Sequence, residues 1–471
     1  MTVSPMKIPP AWTQPIVRRQ EVDLRLVPLG FLGLIVIGAL LLRLPWTHRA
    51  GQSIGWLDAF FLSTSATCVT GLTTVNVAGT FNRFGQGVLL GLIQLGGLGI
   101  FTAGILLVLL SGQRLSLADE HVIRATVGKI RRVRPLDVFL YGCVFILLFE
   151  LAGTVALFLQ INAAAPQQPV WQNLWDAAFH AVSAFCNAGL STYPDNLEHW
   201  RYRPGILAVV SVLIIAGGIG LMTLINLRYY YFWRRDPRRR GYLTLQAKLS
   251  LFMAAILLLA GTVVTWIFER RHTLAGATLT EQITWSFFHS ATCRTAGFNV
   301  VDPGAMNPPT LLFTMLLMFI GGAPGSMAGG IKTVTFAVLV RTAWSALRRR
   351  ENIEVFGRRI SPQVAGRAVM MVLIASGVLM AGVGLLMFTE QQHPAAETPE
   401  HWLAVVFEAV SAFGTVGLSA GVTPLLTAPG KLIIILLMFA GRIIPLMLSV
   451  YLARPSYPWH VRAPSEEIGL G

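Results

Sequence analysis

Charge is scarce in this 471-residue chain, with Asp, Glu, Lys and Arg making up 13% of it. A soluble domain carries about 25%, so a water-soluble globule of this size is excluded. Cysteine is rarer still. Cys68, Cys143, Cys186 and Cys293 are the only four, and none forms a CxxC pair, which argues against a zinc site or a disulfide framework. The apolar spans themselves hold no HExxH, GxSxG or acidic pair at helical spacing, so an enzyme is not expected. No GxGxxG follows a predicted strand, so a nucleotide regulator would have to be a separate protein. The first 25 residues hold Pro5, Pro9, Pro10, Pro15, Arg18, Arg19, Glu21 and Asp23. They lack an apolar core ending in a small-residue cleavage site, so they read as a short cytoplasmic tail, not a removable signal peptide.

Hydrophobic residues are abundant, at 54% with a mean hydropathy of +0.62. Long apolar runs cover Val27–Leu42, Val138–Leu159, Ile206–Leu227, Leu249–Phe268, Leu311–Ile320, Val369–Phe388 and Leu432–Ala440. A helix needs ~20 mostly apolar residues to cross the hydrocarbon, and several runs reach that length. The net charge of +15 could suggest nucleic acid, but its placement points to topology. Loops 114–134, 228–248 and 341–367 hold 6, 7 and 7 Lys/Arg, and with Lys7, Arg18, Arg19 and Arg25 they account for 24 of the 37. Basic loops stay cytoplasmic during insertion, while the intervening loops are balanced or acidic, as around Glu390, Glu397 and Glu400. No nucleic-acid partner is expected; membrane lipid is.

Four stretches align without gaps, from Phe61 to Gly71, Phe179 to Gly189, Phe287 to Gly297 and Phe407 to Gly417, and each glycine is followed by Leu or Phe. Successive glycines lie 118, 108 and 120 residues apart, so the repeat spans the chain. A second echo follows 25, 28, 24 and 24 residues later: Gly96-Gly97, Gly217-Gly218, Gly321-Gly322 and Gly441-Arg442. Each unit parses as an apolar span, an amphipathic segment of about ten to twelve residues ending at the glycine, and a second span. The segment opens near Trp56 and Asp58, Trp175 and Asp176, Glu281 and Trp285, or Trp402. Too short to cross, it must dip in and return. Acids near the starts of the first two suit a helix N-terminus, and the C-terminal ends would aim partial negative charge at a central cavity.

The predicted fold is therefore an all-α membrane protein of four pseudo-repeated helix–pore-loop–helix units around one pore, with eight transmembrane helices and four re-entrant pore helices. The divisions are a tail over 1–23, repeats over 24–112, 113–235, 236–350 and 351–454, and a cytoplasmic tail over 455–471. Irregular backbone at membrane depth is tolerated only inside protein or beside water. Four such loops can present rings of carbonyl oxygens that replace an ion's hydration shell, and glycine supplies the backbone freedom. A transporter with inverted halves would show two broken helices instead of four parallel echoes. The second glycine set reads equally well as pore lining or as close helix packing.

The motifs Ala66-Thr-Cys-Val-Thr-Gly-Leu72, Arg294-Thr-Ala-Gly-Phe-Asn299, Ser411-Ala-Phe-Gly-Thr-Val-Gly-Leu418, Gly321-Gly-Ala-Pro-Gly-Ser-Met-Ala-Gly-Gly-Ile-Lys332 and Gly441-Arg442 together resemble the Trk/Ktr/HKT superfamily of potassium transporters. The likeness covers nearly the whole chain and is strongest to the KtrB-type ion-translocating subunit, since little precedes the first repeat. It implies potassium as the transported ion and a filter at Val69, Thr70 and Gly71; Asn187, Ala188 and Gly189; Thr295, Ala296 and Gly297; and Thr415, Val416 and Gly417. Sodium-preferring plant relatives replace the first filter glycine with serine, so Gly71 favours potassium; a weakly selective Na+/K+ transporter or a Trk-type subunit is the alternative. The resemblance also implies a homodimer, a regulatory cytosolic nucleotide-binding ring and location in the inner membrane, with loops 114–134 and 341–367 open to the ring or to anionic lipid.

Residues 321–332 hold five glycines, a proline and Lys332 where a crossing helix belongs. Gly321, Gly322, Gly325, Gly329 and Gly330 break the helix, and the segment reads as a gating loop beneath the filter or as a static kink. Lys332 either snorkels to the cytoplasm or anchors the loop. Arg442 stands where other repeats have glycine. A charge at the bilayer centre costs about 2.5–3.5 kcal/mol on insertion scales, so it faces inward, as a barrier to cations or as the partner of a buried acid such as Glu150 or Glu408. His180 and His289 read as packing and hydrogen-bonding residues.

Overall fold

The structure, a computed structural model, describes residues 26–110, 135–233, 243–350, 352–391 and 398–453. Repeat 1 comprises α1 (Leu26–Leu42), α2 (Trp56–Thr67) and α3 (Arg83–Leu110). Repeat 2 has α4 (Pro135–Ala164), α5 (Val170–Cys186), α6 (Pro204–Ile219) and α7 (Leu221–Trp233). Repeat 3 has α8 (Leu245–Glu269), α9 (Leu279–Thr292), α10 (Pro308–Phe319) and α11 (Thr333–Leu347). Repeat 4 has α12 (Pro362–Thr389), α13 (Pro399–Gly414) and α14 (Ala428–Ala453).

Among the described residues, Gly142–Ala164, Leu245–Glu269, Pro362–Thr389 and Ala428–Leu448 are helices long and apolar enough to cross a membrane. Their outward faces are apolar rather than charged, as with Phe252, Ile256, Leu259, Val263 and Ile267 along α8. In lipid this is the favoured arrangement, since the helix satisfies its own backbone and the side chains meet hydrocarbon.

The core is made by the short helices. Phe61, Phe179 and Phe407 are fully buried, but the aligned Phe287 is 38% exposed and Phe288 takes the inner position. The cause lies at the helix end. Thr70, Ala188 and Val416 each donate a backbone bond to a serine five residues back (Ser65, Ser183, Ser411), whereas Ala296 donates to Thr292, four back. Counted from that acceptor, the buried Phe is four residues upstream in all four repeats. The third helix is rotated by one residue, which the ungapped alignment concealed. The short helices are also longer than ten to twelve residues in repeats 2 to 4, at 17, 14 and 16.

Two acids stitch spans together, one of them Glu390, which the sequence placed in an open loop. Glu269 accepts from the Asn307 amide (2.9 Å) and the Thr310 hydroxyl, and Glu390 accepts from the amide and hydroxyl of Thr427. Each ends a first span and sits at the N-terminus of the second, where the helix dipole favours a negative charge. The residues that open the short helices tie neighbouring repeats together. Trp175 Nε1 donates to Gln86 (2.8 Å), Trp285 Nε1 to the Arg201 carbonyl (2.7 Å), and Lys431 pairs with Asp58 (3.0 Å). Asp176 is not at a helix start, because α5 begins at Val170; it accepts from Thr192 Oγ1 at 2.7 Å.

The expected docking loop 114–134 and both tails lie outside the described residues. Part of loop 341–367 is a hairpin not foreseen from sequence, β1 (Ile353–Val355) paired with β2 (Arg358–Ile360). Its two-residue turn, Phe356-Gly357, has φ of 51° and 70°, the form that matches strand twist.

Candidate functional site

At the end of each short helix the chain turns with a residue in the left-handed region: Val69 (φ 56°), Asn187 (61°), Thr295 (69°) and Thr415 (50°). Such a conformation is strained for a β-branched side chain, yet three of the four are Val or Thr. In repeats 1, 2 and 4 the turn is a Schellman closure. Two residues on, Gly71, Gly189, Gly297 and Gly417 again have positive φ, between 67° and 108°.

These glycines form a closed ring. A Cβ on Gly71 would lie 2.5 Å from the Ala188 carbonyl oxygen, on Gly189 2.5 Å from that of Ala296, and on Gly297 2.6 Å from that of Val416. On Gly417 it would strike the carbonyl oxygen of Thr70, closing the circle. Each repeat thus meets the carbonyl of the next through the residue before its glycine, and no side chain fits between. The twelve residues from Val69 to Gly417 named for the filter are brought together here, and Val69, Thr70, Asn187, Ala188, Thr295, Ala296, Thr415 and Val416 are at most 1% exposed. The hydroxyls of Thr70, Thr295 and Thr415 are buried without a hydrogen-bond partner among the described residues.

The second glycine echo resolves as packing. A Cβ on Gly96, Gly217 or Gly441 would collide with the carbonyl of Thr67, Phe185 or Phe413, the last turns of the short helices. Repeat 3 breaks the pattern, since Gly321 abuts the Gly329 carbonyl of its own loop.

That loop, between α10 and α11, is closed at its neck by Gly321 N donating to Ile331 O (2.9 Å) and Thr333 N to Gly322 O (3.0 Å). Gly329 lies against Thr415, and the Met327 sulfur would be 3.4 Å from a Cβ on Gly97. The loop therefore passes beneath the ring and touches the other three repeats. A second break, missed in the sequence, receives it: α6 and α7 form a bent pair, turned by 97° at Gly220. Ala323 N donates to Gly218 O (2.9 Å), Met327 N to Gly217 O (3.3 Å) and Leu221 N to Gly325 O (3.3 Å). The signal was there in the run Gly217-Gly-Ile-Gly220. Bending α6–α7 frees carbonyls that the loop's amides need.

Arg442 Nη1 donates to the Met327 carbonyl at 2.6 Å, and its Nε and Nη2 are buried without partners among the described residues. Its partner is the loop, not an acid. Glu408 accepts from Ser419 (2.6 Å), Thr423 (2.7 Å) and Ala420 N (3.1 Å), and Glu150 from Gln94 (3.2 Å). Lys332 Nζ donates to the Ala328 carbonyl at 2.6 Å, so it anchors the loop. His180 bonds the Asp176 carbonyl (2.7 Å) and Ser191 (2.8 Å), and His289 bonds Thr314 (3.0 Å). No group of three or more His, Cys, Asp or Glu side chains able to hold a metal occurs among the described residues.

The sequence pattern of the TrkH family, described as cation transport protein, matches residues 28–457. The chain belongs to that family. It is 35% identical to the potassium/sodium uptake protein NtpJ of Enterococcus hirae, over 97% of this chain and 98% of the relative. It is 35% identical to the Ktr system potassium uptake protein B of Bacillus subtilis, over 95% and 96%. The crystal structure of the potassium transporter TrkH from Vibrio parahaemolyticus shares the fold, with a TM-score of 0.70 and 18% identity over 92% of this chain and 86% of that one. The chain is a multi-pass cell-membrane protein, and the family is one of transporters, not enzymes.

Proposed function

We propose that the chain carries potassium into the cell through the ring at Gly71, Gly189, Gly297 and Gly417. The observation that carries this reading is the cyclic contact of each glycine with the preceding carbonyl of the next repeat. Backbone oxygens gathered this closely around one axis can take the place of an ion's water shell, and helices ending at the ring turn their carbonyl ends toward it. Potassium/sodium uptake by NtpJ keeps a Na+/K+ transporter of weak selectivity as the second reading.

The segment 321–332 acts as the gate. Arg442 holds it under the ring through Met327, and its positive charge raises the barrier to a cation until the loop withdraws. The break in repeat 3 is needed for the motion, and the bend at Gly220 is its cradle. A cytosolic nucleotide-binding ring regulates a homodimer of this chain. The hairpin over Ile353–Ile360, with Arg358 and Arg359 exposed, is the described surface suited to it.

The test is growth at low potassium of a bacterium lacking its own uptake systems. Rescue by the wild-type chain is expected; rescue that added sodium suppresses by competing with potassium would favour the second reading.

The outer mouth supplies a pH prediction. Glu198 accepts from Asn299 at 2.7 Å, two residues past Gly297. Burial first, then the charges of Asp302 and Asp195, raise its pKa above the usual carboxylate range. It therefore gains a proton at a higher pH than a free glutamate, and the mouth loses charge as the outside acidifies. The KM for K+ is expected to rise by about twofold to threefold across that titration, and Glu198→Gln should hold the higher KM at every pH. A mutant that keeps the wild-type pH profile would discount the role of Glu198.

A further inference from the structure

We infer that Asn196 is a specificity-determining residue, a clamp that holds the outer carbonyls of the second and third repeats in place. The inference rests on the filter reading above. In repeats 1 and 4 the filter glycine is held from below, since Ser65 Oγ accepts from the Gly71 amide (3.0 Å) and Ser411 Oγ from the Gly417 amide (3.1 Å). In repeat 2 the corresponding Ser183 donates elsewhere, to the Leu190 carbonyl (2.8 Å). In repeat 3 the corresponding Thr292 leaves its hydroxyl without a partner among the described residues. The hydroxyl tether is thus missing on one side of the ring.

Asn196 acts on that side from above. Its Nδ2 donates to both the Gly189 carbonyl (3.5 Å) and the Gly297 carbonyl (3.4 Å), joining two repeats through one amide. The oxygen end of the carboxamide would repel both carbonyls, so the nitrogen must face them. The residue has φ 57°, a conformation that asparagine tolerates better than most. Its own carbonyl accepts from Ser191 Oγ (3.1 Å), and the next amide, of Leu197, donates to the Asn299 carbonyl (3.2 Å). The loop is therefore fixed to both repeats that the side chain bridges. Seven residues past the other three filter glycines stand Ala78, Gly304 and Pro424, none with a side-chain donor.

Bonds of 3.4–3.5 Å are long for N–H···O, and each carbonyl oxygen keeps a second lone pair with which to meet a cation while Asn196 holds the first. A smaller ion needs the oxygens to close further inward, and the clamp opposes that movement. Asn196 therefore favours potassium over sodium at the outer end of the filter.

The test measures K+ and Na+ uptake by the full chain in proteoliposomes. In Asn196→Gly the backbone keeps its conformation without strain, so only the amide is lost. The K+/Na+ ratio is expected to fall about threefold to tenfold, the scale of one lost hydrogen-bonding group, with the maximal K+ rate little changed. In Asn196→Asp the group can no longer donate, so the ratio should fall while the added charge lowers the KM for K+. An unchanged ratio in either variant that reaches the membrane overturns the inference, as does a loss of rate at constant ratio, which is what a loop support alone would give. Gly71→Ser measured in parallel separates the two readings. If it lowers the ratio while Asn196→Gly does not, the filter stands and the clamp fails; if neither does, the filter reading fails too.

Discussion

Gly71→Ser is expected to lower the K+/Na+ uptake ratio by about tenfold or more, since forcing a side chain into such a backbone conformation costs about 1–3 kcal/mol and 1.4 kcal/mol is a factor of ten. Gly71 has φ 108°, and its Cβ would lie 2.5 Å from the Ala188 carbonyl oxygen and 3.3 Å from the Cα atoms of Gly189 and Gly417. There is no flexible side chain to give way, so the carbonyls themselves must shift. Discrimination depends on oxygen spacing and should suffer before transport does. Gly91→Ser is the control, since nothing lies within 4 Å of a Cβ there, and it should leave the ratio unchanged. A Gly71→Ser protein as selective as wild type would remove the ring from the filter.

Deleting Ala323–Ala328 should raise K+ flux by about tenfold. The deletion removes Ala323 and Met327, which bond the repeat-2 bend, and the Met327 carbonyl that receives Arg442. A hydrogen bond from a charged group contributes about 1.5–3 kcal/mol, so its loss alone is of that order in the gate's equilibrium. Arg442→Gln should move flux the same way by a smaller factor, because glutamine can still donate to Met327 while the positive charge is gone. Flux measured by ion uptake into vesicles decides it. A decrease, or no change in protein that still elutes as a folded species, would mean that the loop is a fixed part of the wall.

Much of this was legible in the sequence because the repeat is a local pattern. A Phe and a Gly ten residues apart, four times over, announce four short helices that end in turns. The same pattern misled at Phe287, where a turn one residue tighter rotates α9 and buries Phe288. Nor did it reveal Asn196, whose partners Gly189 and Gly297 lie 7 and 101 residues away. The bend at Gly220 was written in the sequence, but its purpose was not, because the backbone groups it frees are used by a loop about a hundred residues further on.

The sequence alone determined the membrane class, the fourfold repeat, the positions of the turns and the break in repeat 3. These depend on composition and on short-range backbone preference, which residues express wherever they sit. Only the tertiary structure decided that Gly96, Gly217 and Gly441 serve packing, that Arg442 answers to a carbonyl instead of a carboxylate, and that the four turns close into one ring. Those outcomes are set by which backbone atoms meet across repeats, and a carbonyl oxygen carries no mark of its future partner in the residue that bears it.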